Sequence, residues 1–468
     1  MQGRNPQTND LWRRESPKSS RPLREHLVRA AVLELCAAVR LDHELADLAL
    51  SRLLKREKNL FSAERRAVGE DLFTLLRRER LIDFALGLEG VPQDSKMQMA
   101  LPQQSRALFA ARYAALKILQ GEGTAEEIIE RHGMRGPWAG FLRRLNASFP
   151  GESLPVTQRV AIIGSIPDGL AERLVSDLGE TDALGFTFSL LERAPLSIRA
   201  NALKITRDEL RKRLRRSGVE TTPTLRAPCG LTARGFPRLT DLREFDDGLF
   251  EIQDEGSQLL ALLAGAKPGE IVADTCAGAG GKTLALAAQM EGRGELWALD
   301  ANAGRLKNLA RRRVRAAPNA LIRTQVIPEE FDAARDAPKL RGRCGCVLID
   351  APCSGTGVLR RSPDAKSRFE APDMIADFAR RQADILSRHS ALVRPGGRLV
   401  YATCSVLKAE DEDVVQSFLS AHPDFRLLDA AGCLPEAASP LVRGGFLRTL
   451  PHKDGCDGFF GAVMERID

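Results

Sequence analysis

Two stretches of the chain set a cysteine where chemistry could happen. "IDAPCSGTG" (349–357) carries Cys353 just after Asp350, and "YATCSV" (401–406) carries Cys404. Each cysteine closes an apolar run that reads as a buried strand, "CVLIDA" in one case and "GRLVYATCS" in the other. If those strands run parallel in one sheet, both thiols stand at its ligand-binding edge. A lone cysteine is more often an inert core residue, and Cys36, Cys229, Cys344, Cys346 and Cys433 are read that way. A matched pair at two strand ends calls for a reaction that uses thiols.

The ligand of such an edge is suggested upstream. "IVADTCAGAGGKTLALAA" reads as strand, tight glycine loop and helix, with Gly278, Gly280 and Gly281 letting the backbone approach a ligand. A phosphate-binding loop would need a glycine where Cys276 stands, so the nucleotide-phosphate reading loses its first required residue. The next apolar run, "ELWALD", ends in Asp300, an acid placed to accept both ribose hydroxyls of a nucleoside. Asp274 closes the first run and suits a cation better than a pyrophosphate. A nucleoside with a positively charged amino-acid tail satisfies both acids, and S-adenosylmethionine is that molecule. The plainer alternative makes Asp274 and Asp300 ordinary loop caps. Asp332, after the next expected strand, could reach the adenine edge or could be an exposed loop acid. Cys276 sits in the loop and needs no chemical role.

Most methyl acceptors have no use for a thiol. Oxygen and nitrogen attack directly, with at most a base. Carbon 5 of a pyrimidine is too weak a nucleophile until a thiolate adds to carbon 6 and makes the ring enamine-like. A free thiol has a pKa near ~8.5, so the site must favour the thiolate. An acid bonded to the ring nitrogen would help, and Asp350 is placed for it. A second thiol can then assist, as base or acid, when the carbon-5 proton and the first thiol leave. Sequence chemistry alone does not say which cysteine has which role.

These residues must be held by a doubly wound α/β domain. From about residue 255, "EIVAD", "ELWALD", "LIRTQVI", "CVLIDA" and "GRLVYATCS" alternate with helical stretches, which predicts a mostly parallel sheet. "GGFLRTL" and "DGFFGAVMER" suggest a closing antiparallel hairpin. Residues 157–254 read as a small α/β unit. In it "IRANALKI" and "VETTPTL" are strands, and "TRDELRKRLRRSG" is a helix with Thr206 and Glu209 at capping-box spacing. Over 25–148 apolar residues recur at helical spacing, which predicts an all-helical domain. "NASFPGESLPVTQ" (146–158) reads as a linker and residues 1–24 as a disordered basic tail.

"DAPCSGTG", "YATCS" and "DTCAGAGGKT" together resemble the Nop/Sun family of RNA cytosine-5 methyltransferases, and "LSIRANALK", "FEIQDEGSQL" and "HKDGCDGFF" resemble its flanking elements. The resemblance covers roughly residues 160–468. It implies a Rossmann-type methyltransferase domain over 255–468, S-adenosylmethionine as cofactor and RNA as substrate. It also implies that Cys404 attacks carbon 6, that Cys353 aids release, and that Asp350 acts beside them. The cofactor site is then expected to draw on Asp274, Cys276, Ala277, Gly278, Ala279, Gly280, Gly281, Lys282, Asp300, Arg305, Asp332 and Asp350. DNA cytosine-5 methyltransferases attack from a Pro-Cys motif paired with Glu-Asn-Val, which this chain lacks. Where the family commonly has an aromatic residue after the lysine that follows Pro-Cys, this chain has Ser367. Arg360, Arg361, Lys366 and Arg368 are read as phosphate contacts, with surface charge as the alternative. "ERRAVGEDLFTLLRRERLIDFAL" resembles the NusB-like domain of the family's bacterial small-subunit ribosomal RNA members, so ribosomal RNA is the expected substrate. Transfer RNA and an inactive ribosome-assembly factor are the alternatives.

Composition agrees. The 468 residues carry a net charge of +7 and a pI near 9.0, with basic runs at 210–218, 305–316 and 359–368 that suit a polyanionic partner. No apolar run is long enough to span a membrane, the first residues lack a secretory pattern, and nine scattered cysteines point to reduced thiols. A cytoplasmic monomer without a metal site is expected.

Overall fold

The computed structural model describes residues 12, 23–89, 101–371 and 373–467, with the side chains of 101–105 outside that description. The chain divides into two compact units, residues 1–193 with 359–372, and 194–358 with 373–468. Of the basic tail expected over 1–24, only residues 12, 23 and 24 are described, and Trp12 is buried beside Phe149. The rest of that expectation lies outside the described residues.

The first unit is helical. Its helices are Glu25–Arg40, Ala46–Arg56, Ser62–Ala85, Leu101–Leu119, Ala125–His132 and Pro137–Arg143, followed by Val156–Gly164, Asp168–Leu178 and Glu180–Ser189. Helical spacing accounts for the packing: Val28, Val32, Leu35 and Val39 line one buried stripe of the first helix. Thr124 and Glu127 form a capping box, and Gly133 in the left-handed conformation stops that helix. The last three helices lie in the stretch that the sequence assigns to the small α/β unit. Arg80 donates to the Ile166 carbonyl at 2.8 Å and Arg78 to that of Leu191 at 3.0 Å, which ties them to the helical unit. No helix among the described residues is long and apolar enough to cross a membrane.

The second unit holds both sheets. The strands are β1 (Ser197–Ala200), β2 (Thr221–Pro223), β3 (Gly230–Ala233), β4 (Phe250–Ile252), β5 (Ile271–Asp274), β6 (Glu295–Asp300), β7 (Ile322–Val326), β8 (Cys344–Asp350), β9 (Val393–Thr403), β10 (Phe425–Leu428), β11 (Val442–Arg443), β12 (Phe446–Thr449) and β13 (Phe459–Arg466). The small antiparallel sheet has the order β2-β3-β1-β4 and carries the helix Arg207–Arg216, capped by Thr206 and buried through Leu210 and Leu214. The large sheet has the order β11-β12-β13-β9-β8-β5-β6-β7, with β10 beside β13. Its β9-β8-β5-β6-β7 stretch is parallel, and β12 and β13 close it as the expected antiparallel pair. β8 is buried at six of its seven residues, the mark of a strand covered on both faces. Two features of this topology position the site. Strand order reverses at β5, so the loop after β5 opens into the crevice where doubly wound sheets bind ligands. Asp350 on β8 also pairs in register with Ala402 on β9, so the two cysteine-bearing segments leave the sheet side by side.

Candidate active site

The glycine loop (275–280) joins β5 to the helix Gly281–Gln289. Its backbone is tied to its neighbours: Thr275 N–H donates to the Leu348 carbonyl at 2.9 Å and Ala277 N–H to that of Leu299 at 3.0 Å. Asp300 braces the loop from β6, accepting from Gly278 N–H and Asn302 N–H, each at 2.7 Å. Gly280 has φ +85°, and a Cβ there would come within 2.2 Å of Leu309 Cδ1. Nothing lies within 4 Å of a Cβ built on Gly278, so the loop offers open space beside its backbone. Arg312 donates to the Ala279 carbonyl at 2.7 Å while pairing with the buried Glu251 of β4, which joins the small sheet to the loop.

Asp274 is buried at the floor of this loop. One carboxylate oxygen accepts from Thr283 Oγ1 at 2.6 Å, and the other has no hydrogen-bond partner among the described residues. Burial pushes its pKa up to about 7, opposed by the Thr283 hydrogen bond and reinforced by the charge of Asp350. A buried acceptor without a donor costs roughly 1–3 kcal/mol. An ammonium group arriving from a ligand would satisfy it, so these residues fit the cationic cofactor inferred from the sequence.

Cys353 and Cys404 meet beyond the ends of β8 and β9, with their Sγ atoms 3.1 Å apart. Both are free and half-buried. The Cys353 thiol is pushed well above its ordinary value, first by its hydrogen bond with Cys404, then by burial and by the negative charges of Cys404 and Glu410. It therefore holds its proton, and a proton held there can stabilise a thiolate on Cys404. Burial alone pushes Cys36, Cys344 and Cys346 up to about 12 and also raises Cys276, so these thiols have no such partner and stay inert.

Lys282 joins the loop to the cysteines. Its Nζ donates to Asp350 Oδ2 at 2.7 Å. Burial favours its neutral form, but the charges of Asp350, Cys404 and Asp274 and the hydrogen bond to Asp350 outweigh burial, and its pKa is raised. The sequence reading assigned Lys282 to the cofactor. The structure pairs it with Asp350.

Sequence reasoning missed the scaffold beneath the thiols. Glu410 is fully buried and accepts from Ser354 N–H at 2.7 Å, Gln382 Nε2 at 3.0 Å, Ser405 Oγ at 2.6 Å and the Ser354 hydroxyl. Gln382 also reaches the Pro352 carbonyl at 2.9 Å, and Gly357 N–H donates to the Cys404 carbonyl at 2.9 Å. Glu410 stands in the acidic stretch "KAEDEDVV", where nothing marks one acid as buried.

The remaining expected residues fall in varied places. Asp332 is exposed and caps the short helix Ala333–Asp336, accepting from Ala334 and Arg335 N–H at 2.8 and 2.9 Å. Arg305 is exposed in the first turn of the helix Ala303–Ala316. In the first unit, Arg368 is exposed and Arg361 half-buried, whereas Arg360 is buried. Lys366 corrects the phosphate-contact expectation. It is buried, and its Nζ donates to the carbonyls of Arg77 at 3.0 Å and Gly164 at 2.7 Å. Its donors serve two helix carbonyls in the interior, out of reach of a phosphate. No group of three or more His, Cys, Asp or Glu among the described residues could hold a metal ion.

A doubly wound sheet with a glycine loop at its switch point, an acid at the end of the neighbouring strand and an unsatisfied buried acid beside it defines a Rossmann-type methyltransferase. Residues 261–465 match the family described as "16S rRNA methyltransferase RsmB/F", and residues 166–236 match its ferredoxin-like domain. The chain is 31% identical over 412 residues to the ribosomal RNA small subunit methyltransferase B of Xanthomonas campestris pv. campestris, covering 86% of this chain and 89% of that one. It is 29% identical over 453 residues to the probable ribosomal RNA small subunit methyltransferase B of Bacillus subtilis, covering 94% and 98%. A crystal structure of a methyltransferase homologue from Pyrococcus horikoshii superposes with a TM-score of 0.55 at 27% identity, over 68% of this chain and all of that one. The chain belongs to the RsmB/F family of ribosomal RNA small subunit methyltransferases, within the Nop/Sun group.

Proposed function

We propose that the protein methylates carbon 5 of a cytosine in small-subunit ribosomal RNA through a covalent enzyme–RNA adduct. The observation that carries this reading is the 3.1 Å approach of two free thiols at the ends of adjacent parallel strands, next to the Lys282–Asp350 pair. When bound, S-adenosylmethionine supplies an electrophilic methyl group. Asp274 would hold its ammonium and Asp300 its ribose, through the second lone pairs of oxygens that brace the loop.

The residues divide the rest of the work. Cys404 as thiolate forms a bond to carbon 6, and the electron pair of the C5–C6 double bond moves to carbon 5, which takes the methyl group. Asp350 and Lys282 face the ring edge with a carboxylate and a proton-bearing ammonium, which can steady the charge that builds on ring N3. The largest cause of the high Cys353 pKa is its bond to Cys404. That bond is lost once the Cys404 sulfur belongs to carbon 6. Cys353 then gives its proton to water and takes the proton from carbon 5. The electrons of that C–H bond restore the double bond, and Cys404 leaves as thiolate. The target base must be unpaired or flipped, since carbon 6 is attacked above the ring plane. This ordering supports Cys404 as the attacking residue and Cys353 as the release residue, as the family resemblance implies.

Incubating Cys353→Ala, Cys404→Ala and the double variant with ribosomal RNA and cofactor tests the reading. A denaturation-resistant protein–RNA adduct is expected in Cys353→Ala and in neither other variant, and sequencing the attached RNA identifies the cytosine. An adduct confined to Cys404→Ala would exchange the two roles. Methyl transfer by both single variants at the unmodified rate would end the covalent mechanism.

A further inference from the structure

The thiol pair needs something to hold its geometry, because the two sulfurs sit on loops from different strands. Backbone pairing supplies the Gly357–Cys404 hydrogen bond and the register of β8 with β9. The residues that directly follow the two cysteines converge on one group. Ser354 gives its N–H and hydroxyl, and Ser405 gives its hydroxyl, to the carboxylate of Glu410. Gln382 joins the residue before Cys353 to the same carboxylate. Glu410 is itself anchored, since the Tyr401 hydroxyl of β9 donates to its carbonyl at 2.6 Å. These donors are all neutral. Burying a carboxylate with hydrogen bonds alone is expensive, and a neutral polar residue would serve if the site needed only packing.

We propose that Glu410 is the positioning residue of the thiol pair, its buried carboxylate locking the Cys353 and Cys404 loops in register so that attack and release act on the same ring. The inference rests on the covalent reading above. The choice of an acid has a second consequence. Its charge raises the proton affinity of Cys353, behind the larger effects of Cys404 and burial. Glu410 thus helps keep Cys353 a thiol until the adduct has formed.

Glu410→Gln keeps the shape and removes the charge, and Ser354→Ala removes only the hydroxyl bond on the Cys353 side. Single-turnover reactions with ribosomal RNA, quenched in denaturant across a pH series, resolve adduct formation from release. In Glu410→Gln, adduct formation should slow modestly and release by about a hundredfold, so that adduct accumulates in a protein whose two cysteines are intact. The pH at which release is half-maximal should move down, because the charge favouring the Cys353 proton is gone. Ser354→Ala should accumulate adduct to a smaller extent, and it keeps the test open if Glu410→Gln does not fold. Release at the unmodified rate and pH in the folded variant overturns the inference. So does an equal loss of formation and release with an unmoved pH profile, which would mean a merely structural role. Cys353→Ala runs alongside: if it traps no adduct, the covalent reading has failed, and if it does, only the assignment to Glu410 is at stake.

Discussion

The glycine loop after β5 and the paired cysteine loops after β8 and β9 open on the same edge of one sheet, yet they are held by opposite means. The glycine loop is held by its own backbone, through N–H groups that reach Leu348, Leu299 and Asp300. The cysteine loops are held mainly by side chains that reach them from elsewhere: Glu410, Gln382, Thr356 and Ser405. The buried carboxylates differ accordingly. Asp274, beneath the glycine loop, keeps one oxygen without a partner, whereas both oxygens of Glu410 are used. An acid with spare capacity is suited to a ligand that comes and goes. An acid without it is suited to holding groups still.

The contrast is tested hardest at Gly280. A Cβ there would meet Leu309 Cδ1 at 2.2 Å on a backbone with φ +85°. Gly280→Ala must therefore move the loop or the helix Ala303–Ala316. The left-handed backbone alone costs about 1–2 kcal/mol. With the displaced leucine, a loss near ~3 kcal/mol, or about a hundredfold in cofactor Kd, is expected by titration calorimetry. Because the cysteine loops are braced separately, alkylation of Cys404 by a small thiol reagent should proceed at close to the unmodified rate. A matching change in thiol reactivity would mean that the two regions are one mechanical unit.

The same contrast explains what could be read from the sequence. The glycine loop was legible because its constraint is local: glycines, a following helix and an acid at the next strand end. The strand–helix alternation and the two cysteines were legible for the same reason, each being a short pattern with a fixed period. Glu410 was not, because its partners Ser354 and Gln382 lie 56 and 28 residues away in sequence, and hydrogen bonds of that range leave no local periodicity. Lys366 failed in the other direction. A lysine among arginines reads as surface charge, and only tertiary packing against Arg77 and Gly164 buries it. The helices Val156–Gly164, Asp168–Leu178 and Glu180–Ser189 are helical by pattern, but their attachment to the N-terminal unit depends on Arg78 and Arg80, distant residues whose targets the sequence does not display.

The spare oxygen of Asp274 has a pH signature. Its folded pKa, about 7, lies above the ordinary value of 3.8 because of burial. Between those values the folded protein holds a proton that the unfolded chain has released, so this group's contribution to stability falls as pH rises through the window. Asp274→Asn cannot titrate. The ligand-free variant should therefore gain stability relative to the unmodified protein between pH 5 and pH 7, on the order of 2 kcal/mol, in urea unfolding curves. Cofactor binding by the unmodified protein should strengthen over the same interval, since the ionised carboxylate is the form that an ammonium prefers. A stability difference that does not change with pH would mean that Asp274 is already ionised and its second oxygen already served.

The smallest expected effect concerns Asp332, where the sequence left a ligand contact and an exposed loop acid both open. The structure gives it an occupation of its own, as the N-cap that receives Ala334 and Arg335 N–H. Replacing such a cap with alanine costs typically about 1 kcal/mol. Here the helix Ala333–Asp336 spans one turn at the surface, so the loss should stay local and the global midpoint should move by a degree or two. Asp332→Asn retains an oxygen that can cap and removes the charge, and the two substitutions together separate the roles. If Asp332 only caps, Asp332→Asn leaves cofactor affinity unchanged and Asp332→Ala lowers it less than about threefold, roughly what loosening of a neighbouring turn by half a kcal/mol would give. A tenfold loss in both variants would mean that the charge itself meets the ligand. Asp332 would then join Asp274 on the side of the acids that keep capacity in reserve, despite its two backbone hydrogen bonds.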